Sequence, residues 1–245
     1  MRIAWRTAGI AAGLLACVPA HYLARLATGG SGWPRRFLGH AGRRAGLRVR
    51  IEGRPLGSNV LFVANHESWL DILALGGATE LSFVAMEELS RWPVVGWLAG
   101  LNRTIYVARA ERGAVKGQAD AVRAGLAEGL AVALFPEGTT EGGRGVLPFR
   151  PSLLASLYPP LPGVKVQPVA IDYHLHEAEI AWIGDEPAGA NAKRMLSRKE
   201  PIPVTLRFLD PIDPAEAGDR KALAAQAHAA VVAALGASVA APDPL

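Results

Sequence analysis

An apolar segment brings a histidine and an acid to the point where a strand should end. Val60–Ala64 is entirely apolar, and it is followed by Asn65 and His66, with Asp71 five residues after the histidine. Open α/β sheets bind their ligands at the carboxyl ends of strands. A continuous helix over 66–71 would separate the two side chains by about 140°, whereas a turn before Ser68, a plausible N-cap, would fold the imidazole onto the carboxylate. Such a pair can act as a general base and the group that orients it, while the substrate supplies the hydroxyl. The alternative is a structural histidine near a helix start.

Two further segments would bring polar residues to the same edge of the sheet. Glu137 offers a carboxylate just after an apolar strand, and Gly138, which precedes Thr139, permits a positive φ or the close approach of a ligand. Taken alone, this segment also fits an ordinary strand-to-loop turn. An alternating strand ends on Arg109, whose guanidinium can hold a phosphate in bidentate fashion.

Other chemistries lack the residues that they need. No G-x-S-x-G segment occurs, so Ser68 lacks the context of a hydrolase nucleophile. The single cysteine, Cys17, excludes an intramolecular disulfide framework and a cysteine-rich zinc site. His174 and His176 alternate, but no third ligand follows at a suitable spacing. We therefore predict that these two histidines are surface residues and that the protein binds no metal.

The elements that position these residues follow an α/β pattern. Beyond residue 47, short β-branched runs alternate with helical patterns. The predicted strands are 48–52, 60–64, 81–85, 104–108, 131–135, 164–171, 179–183 and 204–208, and the predicted helices are 68–77, 93–101, 113–128, 149–157, 188–198 and 219–236. We expect an α/β domain with a single mixed, largely parallel sheet and helices on both faces.

Charge is unevenly distributed along the chain. The 245 residues are 50% hydrophobic and 20% charged, which is enough apolar material for a globular core. Mean hydropathy is +0.19 and the pI is about 9.5. Residues 1–54 contain ten Arg and one acid, Glu52, so the net charge of this stretch is +9. The rest of the chain carries −5, which gives the total of +4. An anionic partner is therefore expected to meet the N-terminal part. Because no nucleic-acid motif accompanies these arginines, a membrane surface is favoured over nucleic acid.

The N-terminal segment itself has three interpretations. Residues 8–20 are all apolar, Gly or Pro, which is short of the roughly 20 residues that a membrane span needs. A signal peptide, a monotopic or marginally spanning anchor with a basic surface segment, and a buried helical hairpin all remain open. The anchor is favoured because Arg35, Arg36, Arg43 and Arg44 follow among apolar side chains. We divide the chain into membrane-associating helices over 1–46 and an α/β domain over 47–245.

Taken together and in order, these segments resemble the glycerolipid acyltransferase family that includes 1-acylglycerol-3-phosphate acyltransferases. The resemblance covers roughly residues 48–210, because Asn65-His66 with Asp71 matches the family's catalytic block and 135–139 matches its acceptor-binding block. It implies that His66 is the general base and Asp71 its orienter. Asn65, Arg109, Glu137, Gly138 and Thr139 would be substrate-binding residues.

Two positions depart from the family's pattern and bear on the acceptor. Arg103 stands where the family commonly has Gly, and Thr140 stands where the acceptor block commonly ends in Arg. A Thr there resembles a branch that includes lyso-ornithine-lipid acyltransferases and some bacterial phosphatidate-forming relatives, so both acceptors stay open. Arg103, Arg144 and Arg150 are candidates to compensate for the missing cation.

The resemblance also implies a reaction and its setting. An acyl group would pass from acyl-CoA or acyl-ACP to the hydroxyl of 1-acylglycerol-3-phosphate, forming phosphatidic acid; a lyso-ornithine lipid is the alternative acceptor, and a non-catalytic membrane-bound scaffold is the rival of another class. No cofactor beyond the acyl donor is expected. Partners would be the lysophospholipid, the thioester donor (which includes acyl carrier protein) and an anionic membrane at the cytoplasmic face of the inner membrane. Residues 92–101 would line an acyl tunnel or, more simply, pack in the core.

Overall fold

The computed structural model describes residues 1–107, 114–140, 145–184 and 186–240. Within these residues the strands are β1 (Leu47–Glu52), β2 (Val60–Ala64), β3 (Ser82–Met86), β4 (Ile105–Val107), β5 (Ala131–Leu134), β6 (Lys165–Asp172) and β7 (Ile202–Phe208). The α-helices are α1 (Arg2–Thr28), α2 (Trp33–Ala45), α3 (Leu70–Ala78), α4 (Pro93–Leu101), α5 (Ala114–Ala127), α6 (Glu177–Ile180), α7 (Ala188–Ser197) and α8 (Arg220–Ala240). Short 3₁₀ segments occupy Glu87–Arg91, Pro151–Leu157 and His174–His176.

In the described part of the chain the strands form one seven-stranded sheet in the order β1-β7-β6-β2-β5-β3-β4. Neighbouring strands are parallel except for β6 and β7. The prediction of a mixed, largely parallel sheet is therefore confirmed. Because β2, β5 and β6 run in one direction, the residues that follow them meet at one edge of the sheet.

The central strand β2 explains why its sequence is apolar throughout. It pairs with β5 on one side and β6 on the other, and all five of its residues are buried. Phe62 belongs to the core on one face, which α3 and α7 cover, and Leu61 belongs to the core on the other face, which α5 and α8 cover. A strand covered on both faces needs an apolar side chain at every position.

One predicted strand is wrong. Residues 179–183 do not form a strand; α6 ends at Ile180, and an irregular segment follows. Ile180 and Ala181 are buried, which accounts for the apolar pattern. The carbonyl of Ala181 accepts a hydrogen bond from the Arg194 side chain, and Trp182 N–H donates to the Glu67 carbonyl at 2.9 Å. Long-range partners, rather than a strand ladder, thus satisfy this backbone.

The N-terminal segment forms two packed helices rather than a buried hairpin. Among the described residues, α1 alone is long and apolar enough to cross a membrane, and only 6% of its most apolar window is buried. This exposure contradicts the buried alternative. His40 Nε2 on α2 lies 2.9 Å from the Gly9 carbonyl on α1, and the Arg6 guanidinium donates to the carbonyls of Ala45 and Met195. One of the basic residues expected to face a membrane therefore fastens α1 to the α/β body.

Helix α4 forms where predicted, but the expectation that it packs in the core is wrong. Of its residues only Gly96 is buried, whereas Val94 is 59% exposed and Trp97 43% exposed. A Cβ on Gly96 would lie 2.2 Å from the Ser90 carbonyl oxygen, and the Tyr106 hydroxyl donates to the Gly96 carbonyl at 2.9 Å. The glycine thus holds the helix close to the preceding 3₁₀ segment, with its large apolar side chains outward.

Candidate active site

The chain turns between β2 and α3, and this turn brings His66 back to Asp71. The distance between His66 Nδ1 and Asp71 Oδ2 is 2.8 Å, and the Asp71 N–H donates to the Ser68 carbonyl at 3.1 Å. The imidazole is therefore folded onto the carboxylate as predicted, but the turn spans 68–71 rather than preceding Ser68, and the N-cap of α3 is Trp69 rather than Ser68. The same five-residue separation in a continuous helix would have directed the two side chains apart.

Asp71 is completely buried and accepts four hydrogen bonds. Its Oδ2 accepts from His66 Nδ1–H and from the N–H groups of Glu67 and Ser68, at 2.7 and 2.9 Å for the latter two. Its Oδ1 accepts from the Tyr173 hydroxyl at 2.6 Å. Four donors thus occupy both oxygens of this carboxylate and hold it in one orientation.

These contacts also define the state of the imidazole. Because the carboxylate oxygen accepts, we assign the proton of neutral His66 to Nδ1, which leaves the lone pair on Nε2. Within the described residues no hydrogen-bond partner lies at Nε2, and the side chain is 20% exposed. The ring stacks on Phe135 with centroids 4.1 Å apart, and Phe83 stacks behind Phe135. The imidazole is therefore held rigidly with a basic nitrogen free to meet a substrate.

Glu137 lies beside the pair, but its carboxylate faces backbone groups. Oε1 accepts the His66 N–H at 2.8 Å, and Oε2 accepts the Leu147 N–H at 2.9 Å. Burial raises the pKa of the Glu137 carboxyl, while these two N–H groups oppose the rise. Glu137 thus ties the backbone of His66 to the loop that precedes Phe149.

Asn65 is also engaged by backbone. Its Nδ2 donates to the Ile171 carbonyl at 2.9 Å, its Oδ1 accepts the Ile171 N–H at 2.8 Å, and the side chain is buried. The amide therefore continues the pairing of β2 with β6 by one step. This pairing fixes where, along the strand direction, the chain leaves the sheet and His66 begins the turn.

Gly138 and Thr139, which follow Glu137, are exposed, and their predicted role in substrate binding stays a prediction. Gly138 has φ +74°, and the Arg150 guanidinium lies 3.1 to 3.3 Å from the place that a Cβ would occupy. Arg150 N–H also donates to the Pro136 carbonyl at 2.9 Å. A glycine is needed here both for the backbone angle and for the approach of the guanidinium.

Thr140 connects this loop to the segment after α6. Its hydroxyl donates to the Trp182 carbonyl at 2.8 Å, and Trp182 N–H in turn donates to the Glu67 carbonyl, beside His66. A second link joins Trp69 Nε1 to Asn191 Oδ1 at 2.8 Å. The segment that sequence patterns misassigned as a strand therefore contacts the turn between β2 and α3.

Similarity to known proteins identifies the family of this chain. Residues 47–172 match the family model described as Acyltransferase. The chain is 37% identical over 213 residues to the lyso-ornithine lipid O-acyltransferase of Brucella abortus, covering 79% of each chain. The chain belongs to the acyltransferase family.

Two further relatives refine this assignment. The 1-acyl-sn-glycerol-3-phosphate acyltransferase of Neisseria gonorrhoeae is 34% identical over 192 residues, which cover 74% of this chain and 73% of the relative. The crystal structure of the 1-acyl-sn-glycerophosphate acyltransferase from Thermotoga maritima aligns with a TM-score of 0.64 and 25% identity over 86% of this chain and 80% of that one. The protein is thus an acyltransferase of the lysophospholipid type, which confirms the resemblance seen in its sequence.

Not all of the basic residues considered for this acyltransferase reach the site. Arg103 precedes β4, at the amino end of the sheet, and lies 3.4 Å from Glu128 on the surface. The expectation that Arg103 compensates at the acceptor site is therefore wrong. Arg109 and Arg144 lie outside the described residues, so their roles stay predictions. Arg150 is the candidate that the structure brings beside Gly138.

Tyr173 and Trp182 are the site residues of this acyltransferase that sequence patterns missed. Tyr173 follows β6, and no spacing relates it to Asp71, 102 positions earlier. His174 is exposed, as predicted, and lies 3.1 Å from the Thr205 hydroxyl; His176 is half-buried. The position of β6 beside β2 decides that Tyr173, rather than His174 or His176, reaches Asp71.

Proposed function

We propose that this acyltransferase transfers a fatty acyl group from an acyl thioester to the free hydroxyl of a lyso-ornithine lipid. The observation that carries this choice of acceptor is Thr140, which stands where the resemblance leads us to expect Arg. Its hydroxyl donates a hydrogen bond to the Trp182 carbonyl. An ornithine head group carries an ammonium beside its carboxylate, so it needs fewer protein cations than a phosphate monoester does. The 37% identity to a relative named for this activity supports the proposal.

His66 acts as the general base in this mechanism. Nε2 removes the proton of the acceptor hydroxyl as its oxygen attacks the thioester carbonyl, and the imidazolium then gives that proton to the departing thiolate. An ester bond forms and the carbon–sulfur bond breaks, with no covalent enzyme intermediate. Proton transfer of this kind typically contributes about 10²- to 10⁴-fold. Asp71 stabilises the imidazolium through the 2.8 Å contact at Nδ1.

The remaining residues hold this centre or meet the acceptor. Asn65 and Glu137 position His66 through backbone hydrogen bonds. Gly138 and Thr139 form the exposed surface beside the imidazole at which the acceptor head group binds. The resemblance implies that Arg109 contacts a phosphate; on a lyso-ornithine lipid we expect it to pair with the head-group carboxylate instead. We expect backbone N–H groups near the acceptor loop to stabilise the oxyanion.

A 1-acylglycerol-3-phosphate acceptor is the second candidate. The Arg150 guanidinium beside Gly138 favours it, because an exposed Arg at this position can pair with a phosphate. The Neisseria gonorrhoeae relative is named for that reaction. Substitution of Arg150 by Ala should reduce transfer to the phosphate acceptor more than transfer to the ornithine acceptor.

One assay with four substrate combinations tests the function. Purified protein is offered a lyso-ornithine lipid or 1-acylglycerol-3-phosphate, each with acyl-CoA and acyl carrier protein thioesters, and the acylated product is measured. We expect transfer to the ornithine acceptor that His66→Ala abolishes without unfolding the protein. Transfer to the phosphate acceptor alone would refute the proposed acceptor. Absence of transfer to both by folded wild-type protein would instead favour the scaffold.

We further propose that α1 attaches the enzyme to the cytoplasmic face of the membrane. Leu15 and Leu23 on this helix are 76% and 67% exposed. Both side chains are apolar and uncharged, so they can insert into lipid. Deletion of 1–46 is a poor test, because α2 contributes Ala45 to the core. The double substitution Leu15→Lys, Leu23→Lys should instead reduce co-flotation with anionic vesicles. The matched control is Leu175→Lys, an equally isolated leucine with 93% exposure; equal flotation of both variants would refute attachment through α1.

A further inference from the structure

We propose that Tyr173 is a positioning residue for acyl transfer, because its hydrogen bond to Asp71 Oδ1 sets the orientation and charge distribution of the carboxylate that holds His66. This inference rests on the proposed function, and it concerns a residue outside the segments that carry the family resemblance. Tyr173 follows β6 directly and is fully buried. It cannot reach a substrate from there, so any effect on catalysis passes through Asp71.

The geometry leaves the carboxylate no freedom to rotate. His66 Nδ1 and two backbone N–H groups occupy Oδ2, and the Tyr173 hydroxyl occupies Oδ1 at 2.6 Å. Without the hydroxyl, Oδ1 would be a buried acceptor facing an apolar gap. Tyr173 is also the largest fully buried side chain of the described residues, so packing fixes its ring.

The hydroxyl remains a donor across the working range of pH. Burial raises the pKa of the Tyr173 phenol well above its ordinary value, and the neighbouring charge of Asp71 raises it further. In the described part of the chain, the other ionisable groups that face the pair are Glu67 on the same turn and Glu137 after β5; the Arg150 guanidinium lies on the outer side, over Gly138. None of these donates to Oδ1.

A hydrogen bond to a carboxylate draws negative charge toward the donor. Removal of the Tyr173 hydroxyl therefore leaves more charge on the oxygen that faces Nδ1 and favours the imidazolium form of His66. The free base is then lost at a higher pH. The acid limb of the kcat/KM profile, where activity falls as pH decreases, should move upward.

Tyr173→Phe tests this directly. We expect kcat to fall roughly tenfold, because a carboxylate released at Oδ1 no longer holds the imidazole in one orientation and this misplacement outweighs the stronger attraction of the imidazolium. KM for either substrate should change little. The acid limb should rise by about 0.5 to 1 pH unit. Tyr158→Phe is the matched control, because it also removes a tyrosine hydroxyl that donates a hydrogen bond, in this case to the Pro214 carbonyl away from the site. Its kcat and acid limb should match the wild type.

A second variant keeps the test decisive if Phe at this position disturbs folding. Replacement of Tyr173 by 3-fluorotyrosine strengthens the donor and should move the acid limb downward, the opposite of the Phe variant. A fall in kcat that parallels lost thermal stability, with the acid limb unmoved in both variants, would show that Tyr173 only packs.

The titration of His66 separates this inference from the proposed function. Its imidazole signals are followed by NMR in ¹⁵N-histidine-labelled protein and assigned with His66→Gln. Tyr173→Phe should raise the midpoint whether or not an acceptor has been identified. Wild-type protein that acylates nothing would overturn the function alone, whereas an unchanged midpoint in the Phe variant would overturn the role of Tyr173.

Discussion

The charge on Asp71 should account for a large part of the catalytic rate. Asp71→Asn changes charge with almost no change in shape. The amide oxygen can accept the three N–H groups that now reach Oδ2, and the amide NH₂ can donate to the Tyr173 oxygen in place of the present Tyr173 O–H bond. The reverse orientation would direct the NH₂ at three donors. The variant should therefore fold with the imidazole in place but without its counter-charge.

The magnitude follows from the distance between the charges. As the hydroxyl proton moves to His66, a positive charge forms about 4 Å from the centre of the carboxylate, and two unit charges at that distance interact by about 4 kcal/mol at an effective dielectric constant of 20. Loss of this stabilisation from the transition state corresponds to roughly a 10³-fold fall in kcat/KM. Because the imidazolium also loses its partner, the acid limb should move to lower pH, opposite to the shift for Tyr173→Phe.

Release of the donor thiol in mixed lipid–detergent micelles, followed by its reaction with a chromogenic disulfide, measures this rate. Asp213→Asn is the matched control, since that carboxylate pairs with Lys165 on the surface, and it should keep wild-type activity. Thermal unfolding of both variants checks the fold. A folded Asp71→Asn enzyme within about tenfold of the wild type, or an acid limb that rises, would refute the role given to the Asp71 charge.

Four further outcomes are expected. Glu137→Gln turns an NH₂ toward one of the two backbone N–H groups that Glu137 accepts, so the free energy of unfolding should fall by about 1–3 kcal/mol in urea titrations at pH 7. Burial raises the pKa of the Glu137 carboxyl in the folded protein, so its contribution to stability is full below the ordinary pKa near 4.5 and decreases as the pH rises through the folded pKa. A wild type that becomes more stable relative to a Glu137→Ala variant as the pH rises through this range would contradict this sign. Thr140→Val should lower kcat by a few-fold, since it removes a bond of about 1 kcal/mol to Trp182, and Thr140→Ser should retain activity; equal rates for the two would show that the hydroxyl is dispensable. Gly138→Ala, at φ +74° and against Arg150, should cost about 1–2 kcal/mol of stability by thermal melts, and an unchanged melting temperature would contradict the strain.

The exposure of α4 shows where pattern reading fails. Its residues are as apolar as a core helix, yet Gly96 alone among them is buried. The spacing of apolar residues indicates which face of a segment could be buried. It does not indicate whether another element packs against that face. Residues 179–183 fail for a related reason, since buried Ile180 and Ala181 imitate a strand while distant hydrogen-bond partners hold their backbone.

The sequence by itself determined the architecture and the pairing of His66 with Asp71. Apolar strands, turn residues and helix patterns are local properties, and they were sufficient to predict a largely parallel sheet with Asn65, His66 and Glu137 at strand ends. The separation of His66 from Asp71 is also local, because one turn closes it. The acyltransferase resemblance rests on these same short segments.

The tertiary structure alone decided what surrounds that pair. Tyr173 reaches Asp71 because β6 lies beside β2, and Trp182 reaches Thr140 across 42 positions of chain. Strand direction also removed Arg103 from the site, since β4 runs parallel to β3 and the residue before it therefore lies at the opposite end of the sheet from His66. Contacts over such separations depend on how the strands assemble, and local sequence carries no record of that order.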